Sequence, residues 1–293
     1  MILVVGSTGN IGSELLRQLA AAKSPTSEPV RALVRSPEKA GDLPAGFELV
    51  KGDLGDPATF EPALEGVDAI FVCLNPSPDL VLLHKNLFTL AKRHKVKHIV
   101  KVSVLGAAAD SPVQIARWHH EADEALKASG IAWTILQPTF FMQNLAGFAP
   151  LIAAQGIIPV PTGNGKAAVL DLRDIASVAV KILAKREQHA GKTYVLTGAY
   201  ALSFADMARE IWSVLGQRCE HKDVTPAEAE QGMKAMGIPD FFVADMLTLY
   251  AGMKAGWMAD VSDHVSLVGQ RSPRSFGEFV RDNAQVFGVK QPS

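Results

Sequence analysis

The chain has 293 residues, 48% hydrophobic and 20% charged, the composition of an ordinary globular protein with room for one large domain or two modest ones. A formal net charge of −1 carries no polyelectrolyte signal and argues against nucleic acid or an acidic membrane surface as a partner. Two cysteines, Cys73 and Cys219, exclude a disulfide framework and a cysteine-rich metal site. Met1 leads straight into an apolar strand with no charged leader, and no run approaches about 18 consecutive apolar residues. A cytoplasmic protein without a membrane span is expected.

Short β-branched runs alternate with helical patterns from the start. "MILVV" (1–5) reads as a strand, and Ile11 to Ala22 as a helix with Ile11, Leu15, Leu16 and Leu19 on one side. "VRALVR" (30–35) and "FELVKGD" (47–53) follow as strands, then "AIFVCL" (69–74), "KHIVKVSV" (97–104) and "WTILQ" (133–137). Helical stretches fall at 79–94 and 113–129, and Cys73 reads as a buried structural thiol. Strands alternating with helices imply right-handed crossovers and a parallel sheet covered on both faces, and near-continuous apolar strands agree. The fold class is α/β, a doubly wound parallel sheet of the Rossmann type over residues 1–155.

After residue 155 the rhythm loosens. "IIPVPTGNGKAAVLDLRDIA" (157–176) reads as two short strands around a Gly-Asn-Gly turn, then a helix that Asp174 caps. "YVLTG" (194–198) is a late strand that rejoins the main sheet. Helix starts with capping-box spacing follow at Ser203 to Asp206, Thr225 to Glu228 and Ser275 to Glu278, with Pro226 at a first helical position. Residues 156–293 are expected to form a smaller, mostly helical lobe over the sheet's carboxyl edge, where ligands of such folds bind.

The stretch "VVGSTGNIG" (4–12) sits between the first strand and the first helix, the context a dinucleotide turn requires. Gly6 suits the tight turn, Gly9 lets the backbone approach a pyrophosphate, and Gly12 lets the helix pack closely on the strand. The helix's unpaired N–H groups and dipole favour phosphate charge. The spacing G-x-x-G-x-x-G is the variant of short-chain and extended reductases.

The end of the second strand discriminates between dinucleotides. An Asp or Glu there would accept the ribose hydroxyls of NAD(H), but the place holds Arg35, in "LVRSPEK". A guanidinium offers paired donors to a phosphate and stacks on adenine, and Lys39 adds charge one helical turn on. The cofactor expected is NADP(H); the bland alternative is a surface arginine. Asp53, in "KGDLGD", suits an acceptor for the adenine amino group or, equally, a turn cap.

These residues resemble the NmrA-like branch of atypical short-chain dehydrogenases/reductases, which includes NADPH-dependent quinone reductases and triphenylmethane-dye reductases. The resemblance spans nearly the whole chain and rests on "VVGSTGNIG", "ALVRSPEKA", "KGDLGDP", "KHIVKVSVLGA", "WHHEADEALKASGIAWTILQPTFFMQNL", "DLRDIA" and "SPRSFGEFVRDNAQVF". It implies that Gly6, Ser7, Thr8, Gly9, Asn10 and Ile11 wrap the pyrophosphate and that Arg35 takes the 2′-phosphate. It further implies that Leu74, Asn75 and Pro76 line the adenosine and ribose side. Ser103 and the stretch Pro138, Thr139, Phe140 and Phe141 would lie along the nicotinamide half.

Members of the wider superfamily carry a Tyr and a Lys four residues apart on the helix after the fifth strand. Here that helix reads "ARWHHEADEALKASG", with no tyrosine. His119 and Asp123 stand there at i and i+4, on one helical face. The pair could supply a proton, the carboxylate keeping the imidazole partly protonated, or it could be a local pair while water delivers the proton. Tyr250 and Lys254 have the Y-x-x-x-K spacing but fall in the C-terminal lobe, and "TGNGKA" is no P-loop. His119, His120, Glu121 and Asp123 do not converge as metal ligands, because adjacent helical residues point about 100° apart; no metal is expected.

The reading that follows is an NADPH-dependent reductase passing hydride to a small apolar or aromatic acceptor such as a quinone. Phe140, Phe141, Met142 and Asn144 would open the acceptor pocket, and Phe241, Phe242, Met246 and Tyr250 would cover it, unless core packing claims them. The rival is a non-catalytic NADP(H)-sensing regulator, and a nucleotide-sugar epimerase is disfavoured by the absent tyrosine base.

Overall fold

The computed structural model describes residues 1–21, 28–41 and 43–287; Ala22 and the side chain of Lys39 lie outside the described residues. In chain order the first part runs β1 (Ile2–Val5), α1 (Asn10–Ala21), β2 (Val30–Val34), β3 (Glu48–Lys51), α2 (Pro57–Phe60), β4 (Ala69–Val72), α3 (Leu80–Arg93), β5 (His98–Val102), α4 (Gln114–Ala128) and β6 (Ala132–Pro138). Then come α5 (Ala149–Gln155), β7 (Ile157–Pro159), β8 (Lys166–Ala167), α6 (Leu172–Ala184), α7 (Arg186–His189) and β9 (Lys192–Leu196). The chain continues through β10 (Leu202–Ser203), α8 (Phe204–Leu215), β11 (Glu220–Lys222), α9 (Pro226–Ala235), α10 (Asp240–Lys254), α11 (His264–Gly269) and α12 (Phe276–Asp282).

Seven strands form one sheet in the order β3-β2-β1-β4-β5-β6-β9, every neighbouring pair parallel. The order reverses between β1 and β4, the switch point at which doubly wound sheets open a ligand crevice at their carboxyl ends. Strand alternation divides the core. Val4, Val100 and Val102 face α1, α6 and α11, whereas Leu3, Ile70 and Ile99 face the layer that includes α3 and α4. Apolar side chains on both faces account for strands that read as continuous hydrophobic runs.

Two short strands flank the Gly-Asn-Gly turn as expected, and each pairs elsewhere: β7 runs parallel to β11, and β8 antiparallel to β10. One local expectation needs correction. Asp174 does not cap α6. Asp171 does, its side chain accepting from the Arg173 N–H, while the buried Asp174 accepts from the backbone N–H and guanidinium of Arg274. That carboxylate holds the segment before α12 against α6. The three capping boxes at Ser203, Thr225 and Ser275 are present.

The lobe has its own apolar core, built by Phe204, Met207 and Ile211 of α8, Tyr250 and Met253 of α10, and Phe276 and Phe279 of α12. A carboxylate joins it to α4. Buried Asp245 of α10 accepts the N–H groups of Gln114 and Ile115, both at 2.7 Å, and so caps α4 from across the fold.

Candidate functional site

The glycine turn has little freedom to be anything else. Gly6 sits at φ +81°, and a Cβ there would stand 1.9 Å from the Cys73 carbonyl oxygen; one on Gly12 would stand 2.1 Å from the Gly6 carbonyl oxygen. Gly9 differs. Its Cβ would meet only the Gly6 oxygen, at 3.3 Å, a tight contact but far milder than those at Gly6 and Gly12, so the fold demands a glycine there much less. Ser7 is buried, its Oγ donating to the Leu33 carbonyl at 2.7 Å and tying the turn to β2. Asn10 is exposed at the start of α1, and Ile11 packs into the core.

A cavity of about 340 Å³ opens beside this turn, walled by Gly6, Thr8 and Gly9 on one side and by Arg35, Asp53, Leu74 and Asn75 on others. Arg35 is exposed at its edge and makes no ion pair among the described residues. Asp53 lines the cavity and also accepts the Gly55 N–H at 2.8 Å, so the turn-cap reading holds and one carboxylate oxygen is committed to it. Leu54, Ser77 and Leu83 complete the wall without having been singled out from sequence, while Pro76 stands beside it. Cys73 is half-buried and lines the same wall, rather than being sealed in the core.

At the neighbouring strand ends, the Ser103 N–H donates to the Leu136 carbonyl and that of Leu105 to Pro138, which knits the carboxyl ends of β5 and β6 together. Thr139 follows directly, 5% exposed, and its hydroxyl has no partner among the described residues. A buried hydroxyl without a partner costs about 1–3 kcal/mol, and at a sheet's carboxyl edge a ligand can satisfy it. Glycine turn, cavity and orphan hydroxyl together fit a dinucleotide laid across the edge from β2 to β6. Two aromatics expected there have other duties. Phe140 packs edge-on against Phe204 in the lobe core, and half-buried Phe141 bridges to Leu170.

The most unusual feature escaped the sequence reading. Lys101, in the middle of β5, is wholly buried. Alternation puts Ile99, Lys101 and Ser103 on the face covered by α4, where Lys101 Nζ donates to Asp123 Oδ1 at 2.7 Å. Ser103 Oγ donates to the other oxygen, Oδ2, at 2.7 Å, and Lys101 Nζ lies 3.2 Å from His119 Nδ1. Burial pulls the Lys101 pKa down, and the Asp123 charge opposes it. The signal was present in the sequence: a lysine within the apolar run "HIVKV" breaks the pattern of a buried strand.

This geometry corrects the expected His119–Asp123 pair. The carboxylate engages Lys101 and Ser103 instead, and burial together with the Lys101 charge holds the His119 pKa well below its ordinary value, leaving the ring neutral. His84 of α3 behaves likewise, pushed to about 3 by burial and by Lys101; its Nδ1 bonds the Leu80 carbonyl, and Nε2 has no partner among the described residues.

A separate apolar cluster lines the seam between the end of β5, α4 and α10: Val113, Ile115 and Ala116, with half-buried Val104, Trp118, Phe242 and Leu249 against them. Phe241 meets Trp118 at 5.6 Å between ring centres and Phe242 at 6.3 Å. Of the other aromatic and sulfur side chains expected in a pocket, Met142 and Tyr250 are buried in the lobe core, Met246 packs half-buried against it, and Asn144 is exposed. Burial raises the Tyr250 pKa, and Lys254 is exposed, so this Y-x-x-x-K spacing forms no reductase pair. Among the described residues no three His, Cys, Asp or Glu side chains are grouped to hold a metal, and no helix is long and apolar enough to cross a membrane.

Comparison with known proteins places this arrangement. A family model described as NAD(P)H-binding matches residues 6–186. The chain is 43% identical to the NAD(P)H azoreductase of Xenophilus azovorans over 290 residues, covering 99% of this chain and 100% of that one. The structure of NADPH-dependent quinone oxidoreductase QOR2 of Escherichia coli, complexed with NADPH, superposes with a TM-score of 0.86 at 29% identity, over 96% of this chain and 99% of that one. Triphenylmethane reductase of Citrobacter sp. gives 0.85 at 26% identity, over 98% and 99%.

Proposed function

The chain belongs to the NAD(P)H-binding family, and from that premise we propose an NADPH-dependent reductase whose acceptors are small, apolar and aromatic: quinones and azo compounds. The observation that carries the choice of acceptor is the seam of Val104, Trp118, Phe242 and Leu249, an apolar wall at the carboxyl edge beside the strand ends that would hold the nicotinamide. Its support from relatives is the azoreductase identity over essentially the full length of both chains.

Bound NADPH supplies the hydride. The chain's own residues orient and shield. Gly6, Thr8, Gly9 and the first turn of α1 take the pyrophosphate, Arg35 the 2′-phosphate, and Leu74 and Asn75 the adenosine side. Ser103 and Thr139 offer polar contacts at the far end, and the Trp118–Phe241–Phe242 group presents ring faces and edges to a flat acceptor. The proton that must join the reduced acceptor comes from water, because His119 is neutral and Asp123 accepts from two donors.

Oxidation of NADPH is measured against a panel of quinones and azo dyes. Turnover with several flat aromatic acceptors is expected. Tight NADPH binding with no turnover on any of them would replace this reading by that of an NADP(H)-sensing protein.

A further inference from the structure

An ion pair sealed between β5 and α4 is a poor way to stabilise a core, since two well-packed apolar side chains of similar volume commonly do as well or better. Its retention here coincides with a geometric consequence. Asp123 as a carboxylate only accepts hydrogen bonds, and Ser103 Oγ spends its one proton on Asp123 Oδ2. The hydroxyl therefore presents lone pairs, and no proton, to anything else that approaches it. Ser103 stands at the carboxyl end of β5, beside the strand end of β6 that carries the unpartnered Thr139 hydroxyl.

We propose that Lys101 and Asp123 are positioning residues that lock the Ser103 hydroxyl as a hydrogen-bond acceptor for the amide N–H of the dinucleotide's carboxamide end. Lys101 Nζ donates to one oxygen of the carboxylate, and the other oxygen holds the serine proton away from the cofactor. The groups facing Lys101 are Asp123 and His119 from α4, His84 from α3 and Cys73 after β4. Both imidazoles are neutral, so none of the other three supplies a second charge to hold the carboxylate. Ser103 thereby acquires its polarity from a residue two positions back on its own strand. The inference rests on the NADPH reading of the cleft.

The test compares two ligands. NADPH spans the whole cleft, whereas 2′,5′-ADP fills only the adenosine end. Ser103→Ala is expected to weaken NADPH about three- to tenfold, the worth of one neutral hydrogen bond, and to leave 2′,5′-ADP unchanged; Ser103→Thr is expected to restore NADPH affinity. The paired substitution K101M/D123L removes the charges together and keeps the volume. It is expected to weaken NADPH by the same factor, with no further loss when Ser103→Ala is added, because all three residues act through one hydroxyl. An NADPH affinity unchanged in K101M/D123L, or additive losses in the triple variant, would overturn the proposal. Should the paired variant fail to fold, Asp123→Asn takes its place, because its amide can offer the serine a donor instead of an acceptor: NADPH affinity unchanged in it or in Ser103→Ala overturns the proposal, and a loss in both, with 2′,5′-ADP affinity unchanged, upholds it. Failure of the wild-type chain to bind 2′,5′-ADP would instead mark failure of the cleft reading itself.

Discussion

The two ends of the cleft are built by different means. The end proposed for the adenosine is made mainly of backbone: the three glycines of the first βα turn, a helix N-terminus, and one exposed arginine at the end of the next strand. The end proposed for the nicotinamide is made of side chains drawn from β5, α4 and the segments just after β5 and β6, with Lys101, Asp123, Ser103 and Thr139 brought together only by the fold. The first kind of site depends on local spacing and tolerates no extra atom. The second depends on packing and charge pairing across long stretches of chain. Substitutions at the first should therefore act sterically and at once, and those at the second should act gradually and with pH.

The largest effect is expected at Gly6. A Cβ 1.9 Å from the Cys73 carbonyl, on a backbone at φ +81°, should destabilise Gly6→Ala by about 3 kcal/mol or more, with NADPH binding lost beyond about a hundredfold. Gly9→Ala, whose Cβ meets only one atom at 3.3 Å, should lower the melting temperature far less than Gly6→Ala while still losing NADPH affinity. Thermal melts and NADPH titrations of the pair check this; equal melting temperatures for the two variants would break the distinction between fold glycine and ligand glycine.

Buried histidines should announce themselves through pH. Burial is the first cause that pulls His84 to about 3 and His98 to about 4, and it also carries His119 well below its ordinary value of 6.5. Below pH 6.5 the unfolded chain binds protons that the folded chain refuses, so stability falls as pH falls, by about 2 kcal/mol each for His84 and His98 between pH 7 and pH 5, with His119 adding in the same direction. For His84 the loss continues down to about pH 3. Urea melts across this range should show it, and His84→Leu should flatten the slope by one proton. A stability unchanged between pH 7 and pH 5 would mean that these rings are open to solvent.

A smaller effect is expected on turnover from His119→Asn. The ring is neutral and buried, so the variant should keep activity within about tenfold, with an unchanged pH profile between pH 6 and 8. A loss of a hundredfold or more in kcat at constant NADPH affinity would make His119 a proton donor after all.

The same division explains what the sequence disclosed. The strands of the main sheet were legible because most are short runs rich in β-branched and apolar residues, and the glycine turn because its spacing is local. Asp171 and Asp174 were exchanged as caps because both precede apolar helical positions, and only the distant Arg274 shows which carboxylate is spent elsewhere. The partners of β7 and β8 were not legible for a related reason, since two-to-three-residue strands carry too little pattern to specify a partner. His119 and Asp123 were found as residues, but their relation turned on Lys101, whose charge within "HIVKV" was the one anomaly in that strand.

The account turns on one guanidinium. Arg35 is exposed at the edge of the cavity, with no ion pair among the described residues, at the strand end where an acidic residue would accept the ribose hydroxyls of NADH. A partly solvated guanidinium–phosphate contact is worth about 1.5–3 kcal/mol, or roughly ten- to a hundredfold in affinity. The direct measurement is a calorimetric titration of the wild-type chain with NADPH and with NADH at low salt, repeated on Arg35→Ala. NADPH should bind tighter by that factor in the wild type, the preference should shrink as salt is raised, and Arg35→Ala should weaken NADPH alone. Equal affinities of the wild-type chain for the two dinucleotides would contradict the assignment and leave Arg35 a surface arginine.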